Sequence, residues 1–394
     1  MLKISLSPVD GGGYTAYFSP EERPIRFDRN IRPIKIKGSE GFAGSIMTLS
    51  RFRQIRAAFH PEKKVPNDTD KCYQLRHAIT TFNEHAKSTF TVGRDLCFDE
   101  GGIATRSRFC PVRQYNSKKP KKFRVDLFIC SCSDSYCIFH LDVYQGKNPT
   151  EVGIHEDLIG LPTTQKAPMN AMYSLGLHLD TQATPRHMAL DNRYMCPELA
   201  VLLREKVNVY ATGTVKAGCK GWPKLLMSLQ KTADRGSYKI AVDKTNNVVV
   251  MHWRDSRVVN MVTTLGDTTI RKVKRQLGSK AALFDCPGPM TKYQKTMFGV
   301  DKGDQIRVHG GGFANKAHFK KLYKKIYLGL LDCYLLNALI AWNLAAKEPR
   351  SSKKTLLRHQ FFTVIAEEMM CYEEGAGTSD LVGNIAANLD NQFQ

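Results

Sequence analysis

The chain has 394 residues, 42% hydrophobic and 24% charged, enough apolar material for a proper core and for two or three domains. Its 58 Lys and Arg against 37 Asp and Glu leave a formal charge of +21, which calls for a polyanionic partner, most commonly nucleic acid. No basic amphipathic helix carries bulky apolar residues free for lipid, and the eleven cysteines form no CxxC pair, so a membrane surface and a zinc ribbon are both disfavoured.

In chain order, residues 1–44 are Gly- and Pro-rich and read as a weakly structured N-terminus, without the apolar core of a secretory signal. From Ile46 to Phe90 the pattern reads as helical, with "SRFRQIRAAFH" and "QLRHAITTFNEHAK" spaced for one apolar face, and "NSKKPKKFRV" (116–125) is a basic hinge leading into the first strand. "VDLFICSC" (125–132) is a strand covered on both faces, and "YCIFHLDVY" (136–144) is its hairpin partner, with Asp134 in the turn. "PRHMAL" (185–190) is a short buried strand ending at Asp191. "CPELAVLLREK" (196–206) is a helix with proline in its first turn, and "VNVYATGTV" (207–215) is another strand. Residues 216–290 look like a separate β-rich insertion, with Asn246–Asn247 marking a hairpin. Helical periodicity returns after Met290. Within 319–339 an unbroken apolar stripe is backed by Lys316, Lys320, Lys321, Lys324 and Lys325. "YLGLLDCYLLNALIAWNLAA" (327–346) has near-membrane hydropathy, but Asp332, Asn337 and Asn343 interrupt it, as expected of a buried helix. The tail from 371 reads as disordered. Cys130, Cys132 and Cys137 read as buried small hydrophobes, and reduced thiols fit a cytosolic or nuclear protein.

Four aspartates could carry chemistry. Asp134 and Asp191 each follow an apolar strand, and Asp301 and Asp304, in "TMFGVDKGDQIR", share one face of a helical turn. If they converge they form an all-oxygen site suited to Mg²⁺ or Mn²⁺, which would activate a water or hydroxyl at a phosphodiester. Taken singly, each is also an ordinary turn or helix-start residue. His187, His309 and His318 stand near these aspartates in sequence and read as structural or surface histidines. The 316–325 lysines, with Lys118 and Lys119, would either form a solvated face or neutralise DNA phosphates.

Six segments in order carry a resemblance to the piggyBac transposases and the proteins derived from them. They are "MTLSRFRQIRAAFH" (47–60), "CFDEGGIATRSRFCPVRQYNSKKPKKFRVDLFI" (97–129), "DSYCIFHLDVYQGK" (134–147), "RHMALDNRYMCPELAVLLREKVNVYATGTVKAGCKGWP" (186–223), "VVVMHWRDSRVVNMVTT" (248–264) and "YQKTMFGVDKGDQIRVHGGGFANKAHFKKLYKKIYLGLLDCYLLNALIAWN" (293–343). The resemblance implies an α/β, RNase H-like catalytic core in two parts, 123–215 and 291–307, split by the insertion at 216–290. It also implies a helical dimerisation and DNA-binding segment in two parts, 45–122 and 308–370. It places the family's three catalytic, metal-holding aspartates on Asp134, Asp191 and Asp301, with Asp304 as the extra aspartate three residues on. It further implies metal-dependent cleavage and strand transfer on double-stranded DNA, a homodimer, a nuclear location, and neither membrane nor small-molecule substrate. The sequence departs from the family at "NRYMC", where Arg193 and Cys196 are unusual, and at Phe298, which replaces a glycine where close backbone approach is expected. The family's short Cys-rich zinc module has no counterpart in these residues. Two further readings are a DNA-binding protein that kept the fold without the chemistry, and a basic RNA- or chromatin-associated scaffold.

Overall fold

The computed structural model describes residues 26–27, 33–34, 48–59, 70–146, 151–179, 184–227, 232–309, 312–316, 319, 321–349 and 351–371. The expectations for 1–44 and for the tail from 371 therefore lie almost wholly outside the described residues. The chain divides into a larger unit, 67–106 with 110–305, and a smaller one, 1–66 with 107–109 and 306–394.

The larger unit is built on a nine-stranded mixed sheet. Its strands are β1 (Asp95–Ala104), β2 (Gln114–Tyr115), β3 (Phe123–Cys132), β4 (Ile138–Val143), β5 (Arg186–Leu190), β6 (Val209–Val215), β7 (Tyr238–Asp243), β8 (Val248–Arg254) and β9 (Val258–Thr263). The spatial order is β2-β3-β1-β5-β6-β9-β8-β7, with β4 also paired to β3. β1 and β3 are antiparallel, while β1, β5 and β6 run parallel. Every residue of β3 from Arg124 to Cys132 is buried, as its continuous apolar run requires. Helix α3 (Thr163–Ser174) lies between β4 and β5, and between β5 and β6 the chain crosses over through helix α4 (Pro197–Val207). Its proline occupies the first turn, where no N–H is needed, and it ends on Asn208 in the left-handed region at φ 50°. The hairpin expected at Asn246–Asn247 joins β7 to β8, with Asn247 at φ 45°.

Two boundaries differ from the sequence expectation. The stretch 45–122 contains helices α1 (Leu49–Ala58) and α2 (Arg76–Thr89), but its latter part carries β1, an interior strand of the sheet between β3 and β5. The run "DEGG" hides it, because two glycines and two acids carry no strand periodicity; neighbours on both sides hold it extended. The stretch 216–290 is not a separate β module throughout. β9 pairs with β6 from Asn260↔Val215 to Thr263↔Thr212, so β7, β8 and β9 extend the main sheet. Only β10 (Ile270–Leu277) and β11 (Lys280–Pro287) form their own two-stranded ribbon. Strand pairing is non-local, and nothing in β6 itself announces which strand will cover its open edge. Below this region Trp253, Met251, Met261, Met290 and Tyr293 pack together, tying helix α5 (Gly288–Thr296) to the sheet.

At the start of β1, Asp95 is flanked by His187 (Nδ1 to Oδ1, 3.3 Å) and by Lys292 (Nζ to Oδ2, 2.6 Å). His187 and Lys292 together outweigh burial and hold the Asp95 carboxyl down at about 2.

In the smaller unit the long helix α8 (Leu322–Ala345) packs with the short helix α7 (Phe313–Lys316) and with α9 (Arg358–Cys371). Among the described residues it alone is long and apolar enough to cross a membrane, and half of that apolar window is buried within the protein. Its interrupting acid, Asp332, is 3% exposed and accepts the N–H groups of Phe313 (2.9 Å) and Ala314 (3.1 Å), capping α7.

Two outcomes test these contacts. Asp332→Ala strands two buried N–H groups and should cost about 2–4 kcal/mol, read as a lower urea midpoint with unchanged slope. Asp95 titrates lower in the folded chain than its ordinary 3.8, so its stabilisation is complete above about pH 4 and fades as pH falls toward about 2. Acid titration of the wild type should show this limb, and Asp95→Asn should lack it.

Candidate active site at the carboxylate cluster

The parallel register of β1 and β5 pairs Phe98 with Leu190, so the next residues along, Asp99 and Asp191, emerge side by side. Asp191 directly follows the last residue of β5, and its Oδ1 accepts the N–H of Arg193 at 2.6 Å, closing the turn that leads into α4. Burial raises the Asp191 carboxyl and Glu100 adds to the rise; the Arg193 N–H, its guanidinium and Lys119 oppose it. Asp99 is pushed further, to about 7, by burial first and then by the like charges of Glu100, Asp191 and Asp301.

Asp301 reaches this group because helix α6 (Gly299–Val308) begins directly on the β1–β3 pair. Just before it, Cys97 Sγ donates to Met297 O (2.9 Å) and Ser133 Oγ donates to Thr296 O (2.7 Å). A Cβ on Gly299 would lie 2.9 Å from Ser131 Oγ, 3.0 Å from Cys132 O and 3.0 Å from Cys97 Cβ. One turn on, Asp304 Oδ2 accepts the N–H of Gly102 at 3.1 Å. Gly101 leaves room for this contact, since a Cβ there would sit 3.2 Å from Asp304 Oδ1 and 2.4 Å from Ile129 Cδ1. Asp301 itself lies exposed in the first turn.

On the other face of β1, Glu100 is held by Arg193 (Nη1 to Oε1, 2.8 Å) and by the hydroxyl of Tyr194, which donates to it. The Tyr194 ring stands edge-on to Phe98 at 5.0 Å, and the Arg193 guanidinium lies 5.1 Å over Tyr144. The "NRYMC" departure thus builds a fixed platform: Arg193 and Tyr194 clamp the turn that carries Asp191 onto the strand that carries Asp99.

Asp134 does not join this cluster. The register sets Ile129 opposite Asp99 and Cys132 opposite Leu96, so Asp134 lies beyond a point three rungs, about 10 Å, further along β3. Asp134 itself is exposed, and Ser133 N donates to Asp95 O, at the end where β1 and β5 begin. Asp191 stands at the end where β5 finishes. A hairpin reverses direction, so the residue after β3 must emerge opposite to the residue after β5. Sequence reasoning missed Asp99 although the signal was present: "LCF" before Asp99 is an apolar run ending in aspartate, as is "HMAL" before Asp191. The expectation for Phe298 is likewise corrected. It is 46% exposed at ordinary backbone angles, and the close approach falls one residue later, on Gly299.

Of the basic residues, Lys118 and Lys119 are exposed in the β2–β3 connection, on the Asp191 side of the sheet. Lys324 is withdrawn instead: it is 6% exposed, and its Nζ donates to Arg56 O (2.8 Å) and Ala57 O (3.1 Å), capping the last turn of α1. Lys321 is exposed and Lys325 half-buried; Lys320 and the side chain of Lys316 lie outside the described residues. His187 belongs to the Asp95 end, His309 is exposed, and His318 lies outside the described residues. Among the described residues, no three His, Cys, Asp or Glu side chains are gathered tightly enough to hold a metal ion as they stand.

With this geometry in place, comparison with known proteins is informative. The family model described as Transposase IS4 matches residues 38–339. The human piggyBac transposable element-derived protein 2 is 29% identical over 158 residues, 39% of this chain and 26% of that protein, so the match spans about a quarter of that relative's length. A cryo-EM structure of the piggyBac transposase synaptic complex with hairpin DNA superposes with a TM-score of 0.64 at 18% identity, covering 87% of this chain and 68% of that one.

The two neighbouring residues at the head of α6 give a direct test of its seating. Gly299→Ala should destabilise by about 1–3 kcal/mol through overpacking, whereas Phe298→Ala should stay within about 0.5 kcal/mol, both read from thermal melts.

Proposed function

Because this chain belongs to the Transposase IS4 family, as a piggyBac-type member, we propose that it is a DDE-type DNA nuclease and strand transferase working through Asp99, Asp191 and Asp301. The observation that carries this reading is that the register of β1 and β5 sets Asp99 and Asp191 side by side where β5 finishes, with Asp301 in the first turn of α6 close enough to bear on the Asp99 carboxyl. The fold supports it as well. Three antiparallel strands followed by two parallel ones, in spatial order β4-β3-β1-β5-β6, are what an RNase H-like core would present.

The cluster fits Mg²⁺ or Mn²⁺ by donor type and charge. Its donors are hard carboxylate oxygens, and their mutual repulsion, which adds to burial in raising Asp99 to about 7, is what a divalent cation relieves. Asp99, Asp191 and Asp301 would hold the ion. When bound, it supplies the charge that activates a water or 3′ hydroxyl and stabilises the leaving oxygen of a phosphodiester. The chain's own residues set the stage. Asp304 fastens α6 to β1 through Gly102 N, and the Arg193 N–H orients Asp191. Glu100, Arg193 and Tyr194 keep the Asp191 turn from drifting. Lys118 and Lys119 would meet phosphates of double-stranded DNA at the same end of the sheet. A homodimer and a nuclear location complete this proposal.

The second reading, a DNA-binding protein without catalysis, is favoured by one observation: the carboxylates are not closed on a single point as they stand. A pre-nicked duplex carrying a 3′ hydroxyl separates the two. In Mn²⁺ the wild type should cleave or transfer strands. Asp99→Asn, Asp191→Asn and Asp301→Asn should each lose about 100-fold or more in rate, with DNA affinity within about twofold. Asp134→Asn should keep wild-type rates. Cleavage that survives Asp99→Asn overturns the proposed site, and tight binding without cleavage in any divalent ion establishes the second reading.

A further inference from the structure

The connection between β2 and β3 carries a feature that the cutting chemistry does not use. Tyr115 and Phe123 are direct cross-strand partners with ring centroids 4.9 Å apart, and the Arg113 guanidinium lies 4.9 Å over the Phe123 ring. Tyr115 is 61% exposed and Phe123 38%, so this aromatic pair faces solvent and seals no core. The tip between them, residues 116–122, is exposed throughout and holds Lys118, Lys119 and Lys122. Asn116 shapes the tip: its N–H donates to Lys122 O (2.9 Å), and its Oδ1 accepts Lys118 N (3.0 Å).

Register places this hairpin with respect to the carboxylates. Phe123 alternates with Val125, Leu127 and Ile129 along β3, and Ile129 is the partner of Asp99, so Phe123 lies on the same sheet face as Asp99. It is six residues, about 20 Å, from Ile129, in the direction of the end where Asp191 stands. Lys119 lies close enough to Asp191 to stabilise its carboxylate.

We propose that the β2–β3 hairpin is a stacking platform for an unpaired stretch of nucleic acid. A base would lie on the Tyr115–Phe123–Arg113 surface while Lys118, Lys119 and Lys122 follow the backbone. Stacking rings flanked by flexible cations suit single strands, because every base has a π-face and every linkage a charge. A duplex hides its faces and would engage only the lysines. The inference rests on the nucleic-acid reading above and deepens it: it names an unpaired strand as the form held at the Asp191 end of the sheet.

The test is fluorescence anisotropy of the full chain in EDTA, with labelled oligo(dT) and a duplex of equal length. Wild type should favour the single strand. Tyr115→Ala and Phe123→Ala should each weaken oligo(dT) binding about tenfold, leaving the duplex within about twofold, while Tyr115→Phe keeps wild-type affinity. Lys119→Gln should weaken both forms and flatten the salt dependence. A Tyr115→Trp variant retains a ring, and its added fluorescence should be quenched by oligo(dT), a readout that needs no residue removed from the fold. Alanine variants that bind oligo(dT) like wild type, or that lose both forms equally, overturn the platform. Because no metal is present, the result is independent of catalysis: cleavage intact in Mn²⁺ without a single-strand preference removes the platform alone.

Discussion

The seating of α6 on the β1–β3 pair is the contact on which the cluster depends. It is a backbone-to-strand approach, permitted only because Gly299 has no side chain to meet Ser131, Cys132 and Cys97. The bond from Gly102 N to Asp304 fixes the helix one turn further on, and Gly101 clears the space for it. Asp301 lies between those two fastenings. Its place is therefore set by steric closeness at one end and a hydrogen bond at the other. The carboxylate needs no partner of its own to stay there, and remains free for a ligand.

That placement carries an electrostatic cost. Asp99 lies in the field of Glu100, Asp191 and Asp301 and is largely out of water. The chain offsets part of this with Arg193, which pairs with Glu100, and with the charge of Lys119, which opposes the rise at Asp191. The remainder is an uncompensated demand for positive charge in a protein whose formal charge is +21. Lys118, Lys119 and Lys122 stand on an exposed segment, where a polyanion can reach them.

Much of the scaffold is legible from periodicity. The strands at 125–132 and 185–190, the helix opening on Pro197, the Asn246–Asn247 hairpin and the long helix after Lys321 fall within two to three residues of their expected starts. What failed were features whose cause is distant in sequence. β1 is masked by Gly101 and Gly102, and is a strand because β3 and β5 flank it. The pairing of β9 with β6, which merges the expected insertion into the sheet, leaves no local mark. Lys324 sits among exposed-looking lysines, yet the end of α1 claims its ammonium. Asp134 and Asp99 both follow apolar runs, and only strand direction tells which of them finishes beside Asp191.

By itself, then, the sequence set a charge surplus of +21, which calls for a polyanionic partner. It also determined the family, through colinear segments, and put Asp191 and Asp301 among the candidate acids through that resemblance. Only the tertiary structure decided the third. Whether an aspartate meets its fellows depends on which way its strand runs and which strand lies beside it. Those are long-range pairings that side-chain periodicity along one segment does not encode.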